Sequence, residues 1–248
     1  MSANVDILNP DRPKRIVIVA SNPAVSEQTG WPIGFWWAEL THPFFEFSER
    51  GYVVDIASPE GGPLQGDAFS DPRDESAYSA EDLISLGFIN SPAHVRLVEE
   101  SKRLADVSVE DYDGALFVGG QGPMYTFRDN ERVHALVASF YEAGKATAVI
   151  CHAACVLLKT RVADGRLLVE GKTWTGFANS EERYADEAAG QKIQPFWIED
   201  EAKKLDNTNF IVSGRFKPHA VRDGSLITGQ QQYSGREAAR LIIEALGT

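Results

Sequence analysis

An α/β fold, with a mainly parallel central sheet covered by helices on both faces, is predicted for this chain by three observations. Short β-branched apolar runs alternate with helix-like amphipathic stretches along most of its length. One of those runs breaks abruptly into a helix-like stretch at a cysteine. The composition, 43% hydrophobic and 24% charged, supplies enough apolar material for a substantial interior.

Taken in order, residues 15–20 (RIVIVA) and 52–58 (YVVDIAS) read as buried strands with a helix over 35–50 between them, a βαβ unit. Residues 115–119 and 147–150 add two core strands. The amphipathic stretch 131–143 between them places Val133, Leu136, Val137 and Phe140 on one face. Residues 225–229 and 235–246 form a last strand and helix, the helix carrying Ala238, Leu241, Ile242 and Leu246 on one side. Two stretches break the alternation. Residues 59–78, rich in Gly, Pro and Asp, read as a long ordered loop of the kind that borders a site. Residues 162–195 contain an expected hairpin over 167–175, followed by the acidic stretch 180–186. No repeat or linker divides residues 1–248, so one domain is expected.

The 36 acidic and 24 basic side chains leave a formal charge of −12 and no basic patch. Such a surface repels phosphate backbones and anionic headgroups, which argues against nucleic-acid and membrane partners. Residues 1–15 are polar and lack the apolar core of a signal peptide, and no run reaches membrane-spanning length, so a cytoplasmic location is expected. The two cysteines, Cys151 and Cys155, lie four apart and would close only a trivial loop, which is no disulfide framework.

Chemistry concentrates at the strand-to-helix break. A cysteine at that turn sits where backbone amides and the positive end of a helix can hold a thiolate, so Cys151 is expected to be a nucleophile with a lowered pKa. His152 follows it directly and offers a general acid or base. Cys155, one helical turn on, reads as core. Gly119, Gly120 and Gln121 follow another strand, and a glycine turn at a carboxyl strand end lets amides approach a ligand; beside the Cys151 elbow it makes a plausible oxyanion hole. The spacing is not a dinucleotide fingerprint. Glu39 lies among Phe35, Trp36, Trp37 and Leu40; either it is buried with a raised pKa, or it occupies the solvated stripe of its helix with Glu46, Glu49 and Arg50.

Gly34-Phe35-Trp36 with Glu39 to Pro43, Asp55 to Pro59 with Gly61 and Gly62, Gly119-Gly120, Ile150-Cys151-His152, Gly171-Lys172 with Thr175-Gly176-Phe177, and Leu226 to Gln230 together resemble the ThiJ/PfpI superfamily, in particular its glyoxalase III and stress-chaperone branch. The resemblance spans nearly the whole chain. It implies a flavodoxin-like three-layer sandwich related to class I glutamine amidotransferases, a homodimer, and glyoxalase activity without a metal or organic cofactor. Carried over by position, it implies Cys151 as nucleophile, His152 as its partner, Glu39 as the acid touching the sulfur, and Glu182 as the carboxylate orienting His152, with Glu181 a close rival. The backbone amides of Gly120 and His152 become the oxyanion donors. The chain departs from the branch at Gln121, where many relatives carry histidine, and at Ala153, where they carry glycine. Gln121 can hydrogen-bond a substrate carbonyl but cannot exchange protons.

Three functions remain in play. The first is conversion of methylglyoxal, a small dicarbonyl, to lactate through a cysteine hemithioacetal, with Phe35, Trp36 and Trp37 walling the pocket. The second is a cysteine-dependent hydrolase, amidase or deglycase. The third is a holding chaperone or a cysteine redox sensor.

Overall fold

The computed structural model describes residues 12–247. Most of the leading segment read above as lacking a signal peptide, residues 1–11, lies outside the described residues. Seven strands form the main sheet: β1 Arg15–Val19, β2 Val53–Ser58, β3 Lys102–Arg103, β4 Gly114–Phe117, β5 Ala146–Ile150, β6 Ala220–Asp223 and β7 Leu226–Gly229, in the spatial order β6-β7-β5-β4-β1-β2-β3. All neighbours run parallel except β6 against β7. The core series β2-β1-β4-β5-β7 has the flavodoxin-like order, in which chain progression reverses beside β1.

Alternation along each strand assigns the two faces, because successive side chains of a strand point to opposite sides. Ile16 and Ile18 of β1 join the cluster that includes Leu40, Phe47 and Ile242. Val17 and Val19 join the one that includes Val137, Phe140 and Val156. The first face is covered by helix α1 (Trp37–Glu49), with α2 (Leu83–Ile89), α3 (Pro92–Glu99) and the helix Gly235–Ala245; the second by α4 (Glu131–Glu142) and a short 3₁₀ helix, Cys151–Leu158. Helix α4 starts where Asn130 caps it, its Oδ1 accepting from the Arg132 and Val133 amides at 3.1 and 3.3 Å. A further helix, α5 (Asn179–Ala189), stands beside the carboxyl edge of the sheet, and Gly235–Ala245 is α6.

Register levels that edge. Val19 pairs with Phe117, Phe117 with Val149, and Ile150 with Gly229, so the loops after β1, β4, β5 and β7 emerge at one height. Ligands of parallel sheets bind there, next to the reversal of strand order.

Two expectations need correction. Residues 167–175 do not form a hairpin. Thr173–Trp174 pairs in parallel with Asn209–Phe210, and Leu167 bridges only to Arg161. Val169 and Trp174 are fully buried, and their packing favours the distant partner over local pairing. The helix-like stretch expected at Cys151 is present, as a 3₁₀ helix over Cys151–Leu158. Glu46 is buried rather than solvated, because it faces the guanidinium groups of Arg236, Arg50 and Arg240 at 2.9, 3.4 and 3.4 Å.

Candidate active site

Cys151 is the first residue after β5 and has φ of +56°, a left-handed conformation that costs a non-glycine residue roughly 1–3 kcal/mol. The surrounding core can hold it there, since each fully buried side chain such as Phe117 contributes roughly 1.5–3 kcal/mol. The kink brings the Cys151 sulfur to the cavity floor, with the backbone amides of Gly120 and His152 directed at it.

His152 links the sulfur to an acid. Its Nδ1 lies 3.5 Å from Cys151 Sγ, and its Nε2 lies 3.1 Å from Glu182 Oε1. An ionised carboxylate only accepts, so Nε2 carries the hydrogen and Nδ1 faces the sulfur. The ring stacks on Phe177 at 4.1 Å. Burial opposes charge on this imidazole, but the carboxyl groups of Glu182, Glu39 and Asp67 together outweigh it, so the His152 pKa is raised. Glu181, the rival, faces away from His152: it accepts from the Ala178 and Phe216 amides at 3.0 Å and from Gln230 Nε2 at 2.8 Å. It ties the start of α5 to neighbouring loops. Helix α5 thus presents one carboxylate to the site and uses the adjacent one for structure.

Glu39, from the first turn of α1, has no exposed surface. Its Oε2 accepts from the Gly119 amide at 2.7 Å. Burial raises its pKa from 4.5 to about 7, against the lowering contacts with Cys151 and Gly119. The solvated-stripe alternative is thereby removed. The expected lowering of the Cys151 pKa is also overturned: burial pushes the thiol up, and the Glu39 carboxylate beside it pushes further, outweighing the two amides. A thiolate here requires Glu39 to hold a proton.

Gly119 and Gly120 allow this packing. A Cβ on Gly119 would stand 2.7 Å from Cys151 Cβ and 2.9 Å from Glu39 Oε2. Gly120 has φ of +99°, and a Cβ there would meet the Phe35 and Trp36 backbone at 2.6 Å. Because the Gly119 amide is engaged by Glu39, it is not the free oxyanion donor expected; the Gly120 and His152 amides are the ones that converge on the sulfur.

A cavity of about 270 Å³ opens above Cys151, lined among others by Trp36, Gly120, Gln121, His152 and Glu182. Phe35 and Trp37 do not wall it as expected. Both are buried in the core, because residues 35 and 36 precede α1 in an extended stretch, whose alternation turns Phe35 and Trp37 away from Trp36. Cys155 is also core, its thiol reaching only the Pro123 carbonyl at 3.5 Å.

Asp67 was missed. Within the 59–78 loop, it is buried and accepts from the Gly34 amide at 2.9 Å and the Gln121 amide at 2.7 Å, which ties together the loops after β1 and β4. Burial raises its pKa from 3.8 to about 7. The sequence signal was faint: one aspartate among several in a Gly- and Pro-rich stretch. Among the described residues no cluster of three or more His, Cys, Asp or Glu side chains is arranged to hold a metal ion, and no helix is long and apolar enough to cross a membrane.

The DJ-1/PfpI family model matches residues 34–245. The probable glutathione-independent glyoxalase hsp3103 of Schizosaccharomyces pombe is 27% identical over 236 residues, covering 86% of this chain and 90% of its own. Glyoxalase 3 of Candida albicans is 26% identical over 218 residues, covering 87% and 91%. A shorter match, 27% over 128 residues and covering 52% and 61%, is to Deglycase PfpI of Pyrococcus furiosus. The solved structure of the 24 kDa Rapid Encystment Protein of Francisella tularensis superposes with a TM-score of 0.83 at 25% identity, covering 95% of this chain and all of that one.

Proposed function

Since the chain belongs to the DJ-1/PfpI family, whose members similar to it include proteins named glyoxalases and deglycases, we propose that it is a glyoxalase III-type enzyme. It converts a 2-oxoaldehyde such as methylglyoxal to the 2-hydroxy acid through a cysteine hemithioacetal. The observation that carries this reading is the sulfur of Cys151 at the cavity floor, with an imidazole on one side and an acid of pKa about 7 on the other.

The steps follow from that placement. His152 Nδ1 takes the thiol proton as Sγ attacks the aldehyde carbon, and Glu182 steadies the imidazolium. The Gly120 and His152 amides hold the developing oxyanion. A base, Glu39 or His152, then moves a proton from the first carbon to the second. Glu39 suits both halves of that transfer, because an acid with pKa near the working pH gives up and takes back a proton at similar cost. Water cleaves the resulting thioester and frees the thiol.

Lactate formation from methylglyoxal by the wild type, and its loss in Cys151→Ala, tests the proposal. Turnover that survives in Cys151→Ala sinks it. A cysteine hydrolase or deglycase is the second reading, favoured by the Cys151–His152–Glu182 alignment, which equally suits acyl transfer. Release of a free amine, with no lactate from methylglyoxal, selects it instead.

A further inference from the structure

The cavity above Cys151 is larger and more aromatic than a three-carbon dicarbonyl requires. Its volume of about 270 Å³ is several times the ~30 Å³ that a water molecule occupies in the liquid. Besides Phe177, which stacks on His152, six rings wall it: Trp31, Trp36, Phe69, Tyr78, Tyr184 and Phe216. They come from separate segments and brace one another edge-on, Trp31 on Phe69 at 6.3 Å, Trp36 on Tyr78 at 6.1 Å, Phe69 on Tyr78 at 6.2 Å and Tyr184 on Phe216 at 5.2 Å. Edge-on pairing leaves ring faces and edges available to a further aromatic group. Phe69, Tyr78 and Tyr184 remain 44%, 47% and 41% exposed, so the apolar wall continues to the cavity mouth.

Helix α5 contributes small residues to the same wall, Ala185, Ala188 and Ala189, which leave room opposite the rings. Two cavity-lining amides, Gln121 and Gln194, set hydrogen-bonding groups into an otherwise largely apolar wall. In a mostly apolar pocket a few such groups orient a ligand hydroxyl or N–H.

Resting on the glyoxalase reading, we infer that the substrate class is a 2-oxoaldehyde whose second carbon carries an aromatic ring with a hydrogen-bond donor, of the hydroxyphenylglyoxal type, in preference to methylglyoxal. The reaction balances without an oxidant or reductant. Sγ bonds to the aldehyde carbon, a proton leaves that carbon and one arrives at the ketone carbon, and water breaks the C–S bond. The first carbon is oxidised as the second is reduced, and an aryl 2-hydroxy acid departs.

The experiment compares kcat/KM of the wild type for methylglyoxal, phenylglyoxal and 4-hydroxyphenylglyoxal. In parallel, Cys151→Ala is titrated with lactate, mandelate and 4-hydroxymandelate by calorimetry. The expected result is a rise in kcat/KM of about tenfold or more from methyl to phenyl, since a single methylene in an apolar pocket already discriminates by about tenfold, with a further rise for the hydroxylated ring. The Kd values fall in the same order. Ala185→Phe, and separately Ala185→Leu, which fill the space opposite the rings, lower the phenyl-to-methyl ratio of kcat/KM. Methylglyoxal turned over as well as or better than both aryl substrates overturns the inference and leaves the glyoxalase reading standing. Absence of turnover with all three overturns that reading and this substrate with it. Mandelate binding no tighter than lactate overturns the aromatic preference whatever the turnover.

Discussion

Replacing Glu39 by glutamine has a consequence that can be read in stability as well as in rate. The carboxyl is fully buried and its pKa rises from 4.5 to about 7, chiefly through loss of hydration. In the unfolded chain it ionises near 4.5, so between pH 4.5 and 7 the native state binds a proton that the unfolded state has released. Stability from this group is therefore fully present below pH 4.5 and is lost as the pH rises through 7. At about 1.4 kcal/mol per pKa unit, the loss reaches about 3 kcal/mol by pH 8. Glutamine cannot ionise, yet it keeps an oxygen to accept the 2.7 Å bond from the Gly119 amide. Glu39→Gln should thus gain about 3 kcal/mol on the wild type between pH 4.5 and 8, whatever its standing at the lower pH, while its kcat falls about 10²–10⁴-fold for want of a proton carrier. Urea unfolding followed by tryptophan fluorescence across that range measures the first effect, and lactate production the second. The contribution of Asp67, which shifts in the same window, cancels in the comparison. A stability difference that stays flat with pH would mean that Glu39 is already ionised in the native state, and the proton-sharing account of the Cys151 thiol would be wrong.

Glu182→Gln should lower kcat by about 10²–10⁴-fold and move the imidazole titration to lower pH, because burial then acts on His152 without its largest charge partner; a pH–rate profile unchanged from wild type would contradict this. The neighbouring Glu181→Gln should cost about 1–3 kcal/mol in urea unfolding through its backbone and Gln230 contacts, with kcat kept in the folded enzyme, and a catalytic loss without destabilisation would reverse the two roles. Gly119→Ala should lower kcat/KM and stability together, by about 1–3 kcal/mol for the latter, since its Cβ would stand 2.7 Å from that of Cys151; wild-type behaviour by both measures would show that the turn has slack. Cys155→Ala should retain turnover within a few-fold at a stability loss of about 1 kcal/mol, and abolished activity would place that thiol in the chemistry after all.

Strand and helix positions were legible wherever periodicity was strong. Residues 16–19 and 147–150 carry mostly β-branched runs because both faces of a parallel sheet are buried there, and the observed strands fall within a residue or two of the limits read for 15–20, 52–58 and 147–150. The 167–175 hairpin failed for the opposite reason. Its alternation satisfied local pairing rules, but buried Val169 and Trp174 drew the segment to a partner more than thirty residues away.

At the site, the apolar run ending in Cys151 and His152 betrayed the elbow, since a strand that stops so sharply must turn there. Adjacent glutamates at 181 and 182 could be told apart only by the pitch of α5, which turns one toward His152 and its neighbour toward Gln230.

By itself, then, the sequence determined the order of elements, the elbow cysteine and the family resemblance, all of which reside in local patterns of apolar and small residues. Tertiary structure alone decided the protonation chemistry. Whether a carboxyl or thiol is charged depends on how much water and which charges surround it, and for Glu39, Asp67 and Cys151 those surroundings are assembled from the segments that follow four different strands, β1, β2, β4 and β5.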